Sequence, residues 1–223
     1  MNQPMYAVDR TYGRTLVANK LIRNTYLLLS MTLLFSAATA GIAIVTNMPY
    51  PGALITLGGY FGLLFLTTHL RNSAWGILSI FAFTGFMGLT LGPMINAYLK
   101  FFSNGAELVM MAMAGTGTIF IGLSAYALTT RKDFSFMGGY IFVGILVAFL
   151  AGIGALIFNI PALSLAVSAV FILLMSGFIL YQTSEMVHGG ETNYIMATIS
   201  LYISIYNLFT ALLQLLGAFA GDD

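Results

Sequence analysis

Residues 137–158 read MGGYIFVGILVAFLAGIGALIF, a stretch of apolar and small residues that contains no Asp, Glu, Lys or Arg. Six further stretches share this property: 26–46, 53–70, 75–98, 108–128, 162–181 and 194–217. Each is close to the roughly 20 apolar residues that a helix needs to cross the hydrocarbon core of a bilayer. The pattern therefore predicts an all-α membrane protein with seven transmembrane helices.

The composition of the whole chain agrees with this prediction. Only 7% of the 223 residues are charged, whereas soluble domains carry about 25%. The segments outside the seven stretches are too short to bury a core of their own. We therefore expect an N-terminal tail (1–25), a transmembrane domain (26–217) and a short C-terminal tail (218–223). The lipid bilayer is the first partner that the composition implies.

Charge and cysteine content exclude several classes of function. A net charge of +1 with scattered basic residues gives no basic surface of the kind that binds nucleic acid. The chain has no cysteine, which excludes disulfides, thiolate nucleophiles and zinc–thiolate sites.

The basic residues predict the orientation in the membrane, because Lys and Arg near span ends resist translocation. If the N-terminus is cytoplasmic, only Lys100 lies outside, and the inside segments hold Arg10, Arg14, Lys20, Arg23, Arg71, Arg131 and Lys132. An odd number of spans then places the C-terminus outside. Residues 1–22 show no sustained helical pattern, so we expect a tail there, with an interfacial helix from Thr15 onward. The apolar run beyond it continues to Thr46, which favours a first membrane helix over a cleaved signal peptide.

Short connections separate the spans. Turn-forming residues occupy 49–52, 72–73, 132–133 and 159–161. Connections this short predict that the helices they join are antiparallel and adjacent.

Small residues recur at helical spacing within the spans. They are Ala37 and Gly41, Gly88 and Gly92, and Gly144, Ala148 and Gly152. Such residues allow close approach of helix backbones in membranes, so a role in packing is expected for all three groups.

Polar residues within the spans are candidates for function, because they are unfavourable in hydrocarbon. In the seventh span Ser200, Ser204 and Asn207 are four and three residues apart, which places them on one helix face. This polar seam fits either hydrogen bonding between helices or a water-lined path, and the first is the more frequent case. Asn96 and Gln214 are the other polar residues of interest in the spans.

The connection between the sixth and seventh spans is the densest cluster of ionisable residues. Glu185 and His188 form an E-x-x-H pair, a spacing found in carboxylate-bridged metal sites. The chain has only three Glu residues, so we expect no metal here. Instead, Gly189 and Gly190 are predicted to end the sixth helix, and the segment from Glu191 to Asn193 to cap the seventh.

Catalytic constellations of an intramembrane protease are not recognisable. His69 and His188 lie at or beyond span ends, and no span contains Asp. A serine–histidine pair or two buried aspartates would be needed at membrane depth. The sequence therefore predicts a protein that is not an enzyme and uses no cofactor.

Four motifs together resemble the Bax inhibitor-1 family. The segment FTGFMGLTLGPMI, from Phe83 to Ile95, is similar to the signature of the family's third helix. Also similar, in the same order along the chain, are RNTYLLLS (23–30), SAYALTTRKDFSFMGG (124–139) and ETNYIMATISLYISIYNLF (191–209). The resemblance covers nearly the whole chain and is greatest to the YccA-like proteobacterial branch.

The resemblance implies a fold, a location and a partner. The fold is a bundle of six helices around a central seventh, and the location is the bacterial inner membrane, with the C-terminus in the periplasm. The YccA-like branch implies a non-enzymatic protein that binds and modulates the FtsH membrane protease, as substrate and inhibitor.

The family also implies an alternative, a pH-sensitive leak for calcium or protons. In that mechanism acidic residues on helices six and seven share a proton and latch the pore. The corresponding positions here are Gln182 and Ser204, with Glu185 one turn away as the nearest carboxylate. Because an amide and a hydroxyl do not titrate near neutral pH, altered or absent pH gating is expected. His188 and Glu191 are then the candidate sensors in the connection.

Overall fold

The computed structural model describes residues 5–220, with side chains described from Val17 onward. Within that range the chain forms helices and no strand. The helices are α1 (Met5–Val45), α2 (Ala53–Leu70), α3 (Trp75–Phe101), α4 (Gly105–Thr130), α5 (Met137–Ile157), α6 (Pro161–His188) and α7 (Tyr194–Ala220). All seven are long and apolar enough to cross a membrane. The predicted all-α membrane protein with seven transmembrane helices is confirmed.

The first helix is much longer than a membrane span. It has 41 residues, and at 1.5 Å per residue it measures about 62 Å, roughly twice the thickness of a hydrocarbon core. The prediction that helix begins only at Thr15 is wrong, because α1 is helical from Met5. Once a span has nucleated a helix, each further residue adds a hydrogen bond without a new nucleation penalty. Residues 1–4, and residues 221–223 of the C-terminal tail, lie outside the described range.

The bundle is built on α1, α3 and α7. Helix α1 packs along α3, and α7 packs against α1, α3, α4 and α6. Their shared core includes the fully buried side chains of Phe83, Ile80 and Leu201. Helix α2 packs on α3, and α5 packs on α6. Helix α7 thus contacts four of the other six helices, and it has no substantial contact with α2 or α5 in the described range. The expectation that all six helices surround α7 remains a prediction.

The prediction that every short connection joins adjacent helices is correct for some pairs only. The pairs α2–α3, α3–α4, α5–α6 and α6–α7 pack together, whereas α1–α2 and α4–α5 share no substantial interface in the described range. The segment between α1 and α2 contains Pro49 and Pro51, which favour extended backbone and allow α2 to lie beyond α3. The connection between α4 and α5 is instead bonded to α6, as described below.

Glycines of α3 allow it to approach α1 closely. A Cβ atom at Gly88 would overlap the Ser36 carbonyl oxygen and Thr39 Oγ1, and one at Gly92 would overlap the Cβ of Ala43. The packing role predicted for this pair is therefore confirmed.

The other two small-residue groups differ. Gly144 and Ala148 of α5 pack towards α6, because a Cβ at Gly144 would meet Leu174 and Ala148 is buried. The prediction is wrong for Ala37 and Gly41: Ala37 is exposed, and nothing in the described structure lies within 4 Å of a Cβ built at Gly41. These two residues lie on an outward face of α1.

Candidate functional site

The predicted site residues concentrate at one end of the bundle, the end that carries the α2–α3, α4–α5 and α6–α7 connections. We call it the basic end, because Arg71, Arg131 and Lys132 are in these connections. The sixth helix reaches this end with its last two turns, from Tyr181 to His188. The basic end and the adjoining α6–α7 interface therefore form the candidate functional site.

Ser184 fastens the α4–α5 connection (residues 131–136) to α6. The backbone N–H of Phe134 donates to Ser184 Oγ over 2.9 Å, and Ser184 Oγ donates to the Lys132 carbonyl oxygen over 3.2 Å. The side chain is 1% exposed. Sequence reasoning did not single out Ser184, because a lone serine at a helix end carries no distinctive pattern.

His188 lies between the end of α6 and the same connection. Its Nδ1 atom is 2.9 Å from the Ser184 carbonyl oxygen, and its Nε2 atom is 3.1 Å from the Arg131 carbonyl oxygen. The residue is the last of α6, where a positive charge is stabilised by the helix dipole. The sequence-predicted sensor candidate is thus held between two structural elements.

The α6–α7 connection ends the sixth helix as predicted. Gly189 has a φ of 84°, in the left-handed region that favours glycine. The N–H groups of Gly189 and Gly190 both donate to the Glu185 carbonyl oxygen over 2.9 Å. These hydrogen bonds give a partner to a carbonyl oxygen in the last turn of the helix, which marks its end.

Glu191 holds the turn that follows. Its Oε1 atom accepts from the N–H groups of Thr192 and Asn193, each over 2.7 Å. The carboxylate of this second sensor candidate is therefore engaged within its own turn.

Asn193 caps α7 and links it to the α2–α3 connection. Its Oδ1 accepts from the N–H groups of Ile195 and Met196 over 3.0 and 3.1 Å, so the predicted capping is confirmed. Its Nδ2 donates to the Arg71 carbonyl oxygen and to Asn72 Oδ1, each over 2.9 Å. One amide thus joins two of the three connections at the basic end.

Asp133 is the carboxylate of the α4–α5 connection. Its Oδ1 accepts from the backbone N–H of Ser135 over 2.9 Å. This hydrogen bond, with smaller contributions from the Ser135 side chain and from His188, holds the pKa of Asp133 below its usual value. Asp133 therefore stays charged over the range in which an imidazole changes its charge.

The two latch positions are buried in α6 and α7, which pack along each other. Gln182 is 9% exposed and Ser204 is 0% exposed. Ser204 Oγ donates to the Ser200 carbonyl oxygen of its own helix over 2.9 Å. Glu185 is half-buried, and its carboxylate lies so close to Gly190 that a Cβ there would overlap it. The interface thus has two neutral polar groups at the latch positions, and its nearest carboxylate is packed against the connection.

The polar seam of α7 bonds to its own backbone. In addition to Ser204, Asn207 Nδ2 donates to the Ile203 carbonyl oxygen over 2.8 Å. In the described structure, these two donors contribute no hydrogen bond to another helix.

Hydrogen bonds between α7 and other helices come instead from tyrosines, from Gln214 and from Thr198, whose hydroxyl donates to the Thr25 carbonyl oxygen of α1. Tyr202 Oη is 2.7 Å from Ser36 Oγ of α1, and Tyr206 Oη is 3.2 Å from Thr90 Oγ1 of α3. Gln214 accepts from Ser168 over 2.7 Å and donates to Ser164 over 2.9 Å, both on α6. The tyrosines were missed because their spacing in an apolar run is also typical of ordinary core residues.

Several buried hydroxyls have no hydrogen-bond partner in the described structure. They belong to Thr25 and Tyr26 of α1, Thr56 of α2, Ser124 of α4 and Thr183 of α6. The ring of Tyr26 contacts Phe120 of α4, with 6.0 Å between centroids. Buried hydroxyls are usually satisfied by a protein group or by water.

Among the described residues, no group of three or more His, Asp or Glu side chains is placed to hold a metal ion. Both ring nitrogens of His188 face carbonyl oxygens. The histidine of the E-x-x-H pair therefore links the end of α6 to the α4–α5 connection.

Comparison with known proteins gives matches over nearly the whole chain. A family model described as "Inhibitor of apoptosis-promoting Bax1" matches residues 18–221. The "Modulator of FtsH protease YccA" of Escherichia coli K12 is 50% identical over 218 residues, which cover 97% of this chain and 98% of that protein.

Two further relatives are similar to the same degree. The "Inner membrane protein YccA" of a second Escherichia coli strain, O6:H1, is also 50% identical over 97% of this chain and 98% of its own length. An uncharacterized protein of Pseudomonas aeruginosa is 51% identical over the full length of both chains. The similarity thus includes the long first helix and the basic end.

Proposed function

The chain belongs to the family of inhibitors of apoptosis-promoting Bax1, and on that premise we propose that it binds and modulates an FtsH-type membrane protease. The observation that carries this proposal is the 50% identity, over 97% of the chain, with a protein named for that activity. An alignment that covers 97% of the chain spans helices and connections alike. The function is that of an inner-membrane regulator that acts by binding rather than by catalysis.

The proposed orientation places the basic end in the cytoplasm. Arg71, Arg131 and Lys132 lie at that end, and the basic residues 10, 14, 20 and 23 all precede the first charge-free stretch, 26–46. Cytoplasmic loops carry an excess of Lys and Arg. The N-terminus is then cytoplasmic, the tail at 218–223 is periplasmic, and residues 1–25 and the three basic-end connections are the parts accessible to a cytoplasmic partner.

The geometry of the basic end suits a docking role. Its three connections are short and bonded to the helices by Ser184, His188 and Asn193. A surface held in one conformation loses little conformational entropy when a partner binds.

A degradation assay tests the proposal. Purified Escherichia coli FtsH is incubated in proteoliposomes with a membrane-protein substrate and ATP, with and without this chain. We expect the substrate to be degraded more slowly in its presence, and FtsH to co-purify with it. Unchanged degradation together with no co-purification would refute the proposal. Bacteriorhodopsin, another seven-helix protein of similar size, is the control for nonspecific crowding.

A leak for protons or calcium is the competing function. The specific observation in its favour is the set of buried hydroxyls without partners among the described residues, since such groups fit a hydrated interior. Calcium ordinarily takes six to eight oxygen ligands, several of them carboxylates, and none of the seven charge-free stretches holds a carboxylate. Protons are therefore the better candidate, and dye-loaded liposomes with pH-sensitive and calcium-sensitive dyes separate the two.

A further inference from the structure

The three basic residues in the connections of the basic end have fixed backbones and exposed side chains. The carbonyl oxygens of Arg71, Arg131 and Lys132 lie 2.9, 3.1 and 3.2 Å from polar side-chain atoms of residues at the junction of α6 and α7. In the described part of the chain, the hydrogen bonds of these three residues all use backbone atoms. Their side chains are exposed, so the charged groups are accessible to a ligand from outside the chain.

These cations lie at the level where the hydrocarbon of a bilayer ends. Arg71 directly follows the last residue of α2, and Arg131 directly follows the last residue of α4. Trp75, at the start of α3, is 65% exposed, and Tyr140, in the first turn of α5, is 80% exposed. Tryptophan and tyrosine are enriched at membrane–water interfaces. The exposed aromatic side chains therefore mark the basic end as the level of the lipid headgroups.

Arg131 has an unusual backbone conformation for an arginine. Its φ is 51°, in the left-handed region that costs free energy for residues other than glycine. Glycine would end α4 there without strain. Backbone strain is often found where a side chain has a functional role, and here it places an exposed cation at the end of a membrane helix.

The carboxylates of the basic end are engaged within their own segments. Asp133 Oδ1 accepts from the backbone N–H of Ser135 over 2.9 Å, and Glu191 Oε1 accepts from two backbone N–H groups of its turn over 2.7 Å. Glu185 is half-buried against Gly190. An anion from outside the chain can therefore reach the exposed cations.

We propose that the basic end binds the headgroups of anionic phospholipids through Arg71, Arg131 and Lys132. Guanidinium groups bind phosphate oxygens through paired N–H donors, and basic residues next to membrane spans attract anionic lipids. A lipid fits this site better than an acidic protein segment does, because the cations lie at headgroup level between exposed aromatic side chains. The inference does not depend on the protease partner, since it concerns only the chain and the bilayer.

The single tryptophan of the chain gives a local test, because Trp75 is four residues from Arg71. The full chain is reconstituted in bilayers of phosphatidylcholine and phosphatidylglycerol with the same acyl chains, and one of the two lipids at a time is brominated. Bromine quenches tryptophan fluorescence only at short range, so quenching reports which lipid is next to Trp75. We expect the anionic lipid to bind there about fivefold more strongly, the factor that corresponds to one basic residue near a membrane surface. The preference should decrease as salt is raised from about 0.05 to 0.5 M, because salt screens exposed charges.

The variants assign the preference to particular cations. Arg71→Gln should remove it near Trp75, whereas Arg71→Lys, which keeps the charge, should retain it. Lys100→Gln should also retain it, because Lys100 lies in the last turn of α3, at the opposite end of that helix. Thermal unfolding of each variant, followed by circular dichroism, reports folding.

A second reporter tests the α4–α5 connection. A chain with Trp75→Phe and Phe136→Trp has its only tryptophan there, and Arg131→Gln with Lys132→Gln should remove its preference for the anionic lipid. Equal quenching by the two lipids in the unmodified chain would overturn the proposal and leave the cations to an acidic protein segment. A preference that persists in Arg71→Gln and in the double variant would also overturn it. A preference that inorganic phosphate abolishes, but chloride of equal ionic strength does not, would assign the cations to a free anion instead.

Discussion

Gly88 sets how closely α1 and α3 approach each other. A methyl group there would overlap the carbonyl oxygen of Ser36, which belongs to the backbone and has no alternative rotamer. We expect Gly88→Ala to reduce the free energy of unfolding by about 1–3 kcal/mol, as overpacking does in other cores. Thermal unfolding in detergent, followed by circular dichroism, measures the change.

Gly58→Ala is the matched control for this substitution. Gly58 is exposed on α2, and nothing in the described structure lies within 4 Å of a Cβ built there. Alanine is the better helix former, so the control should be neutral or slightly stabilising. Equal destabilisation by both substitutions would contradict the packing explanation.

Gln182 of α6 and Ser204 of α7 occupy the two positions at which the family's mechanism would place carboxylates. Two carboxylates close together in a low dielectric share a proton and titrate in separate steps, whereas the native amide and hydroxyl do not titrate near neutral pH. If the chain conducts protons, we expect the double variant Gln182→Glu with Ser204→Asp to gain a pH dependence of flux through this pair. Dye-loaded liposomes between about pH 6 and 8 give the measurement.

The single variants are the controls for the pair. Gln182→Glu and Ser204→Asp each supply one carboxylate and should give a weaker pH dependence than the double variant. The same pH profile in the native chain and the double variant would contradict the assignment of the latch positions. A native pH dependence that disappears in His188→Gln would instead place the control of flux at the basic end.

Sequence reasoning at this scale succeeded where a residue's type dictates its local geometry. Gly189 and Asn193 were assigned to helix ends because glycine tolerates a positive φ and an asparagine side chain mimics a backbone acceptor. It missed Ser184 and Tyr202, whose roles depend on partners more than 45 positions away in the sequence. Nothing local distinguishes such a residue from an ordinary core or loop residue.

At the scale of elements, Asn193 joins the start of α7 to the α2–α3 connection. Asn193→Ala removes the cap of α7 and both hydrogen bonds to Arg71 and Asn72. Loss of an N-cap alone weakens stability by about 1 kcal/mol, and we expect somewhat more here because a second element is released. Thermal unfolding in detergent and hydrogen exchange of residues 71–74 are the measurements.

Thr192→Ala is the control for the cap. Thr192 is exposed and adjacent to Asn193, and in the described structure its hydroxyl makes no hydrogen bond to the helices. We expect it to leave both measurements unchanged. Faster exchange of residues 71–74 in the control as well would mean that the connection responds to any change in this turn.

Helix positions were predictable because charge-free stretches of about 20 residues have one stable form in a bilayer, in which each backbone group is satisfied within its own segment. Helix neighbours were less predictable. Short connections limit the distance between helix ends but not the partner against which a helix packs, so α1 packs along α3 rather than α2, and α4 packs on α6 and α7 rather than on α5. The choice depends on surface shape, as at Gly88, and on bonds such as those of Ser184.

For the whole molecule, the motif-based resemblance is confirmed by the family match over residues 18–221.

The proposed orientation follows from the charge distribution, and the proposed partner follows from a relative's name. Each is tested separately. Fusion of alkaline phosphatase, which is active only outside the cytoplasm, gives the orientation. We expect activity for fusions after Lys100 and none for fusions after Lys132. The reverse pattern would contradict a cytoplasmic N-terminus.

The N-terminal part of α1 belongs to the predicted cytoplasmic tail. Residues 5–16 lie in the predicted N-terminal tail (1–25) and, as helix, measure about 18 Å. A protease anchored in the same membrane can engage such a segment without first extracting a span.

If the protease proposal holds, we expect removal of residues 1–11 to preserve the seven spans and protease binding but to slow degradation of the chain. A bound and resistant chain would occupy the protease longer and inhibit it more strongly. Pulse-chase labelling in cells with and without active FtsH, combined with co-purification, measures both effects, and removal of residues 222–223 is the control, which should change neither. Equal half-lives of the full and shortened chains, or loss of binding with the N-terminal residues, would show that gripping and docking are not separate functions of this molecule.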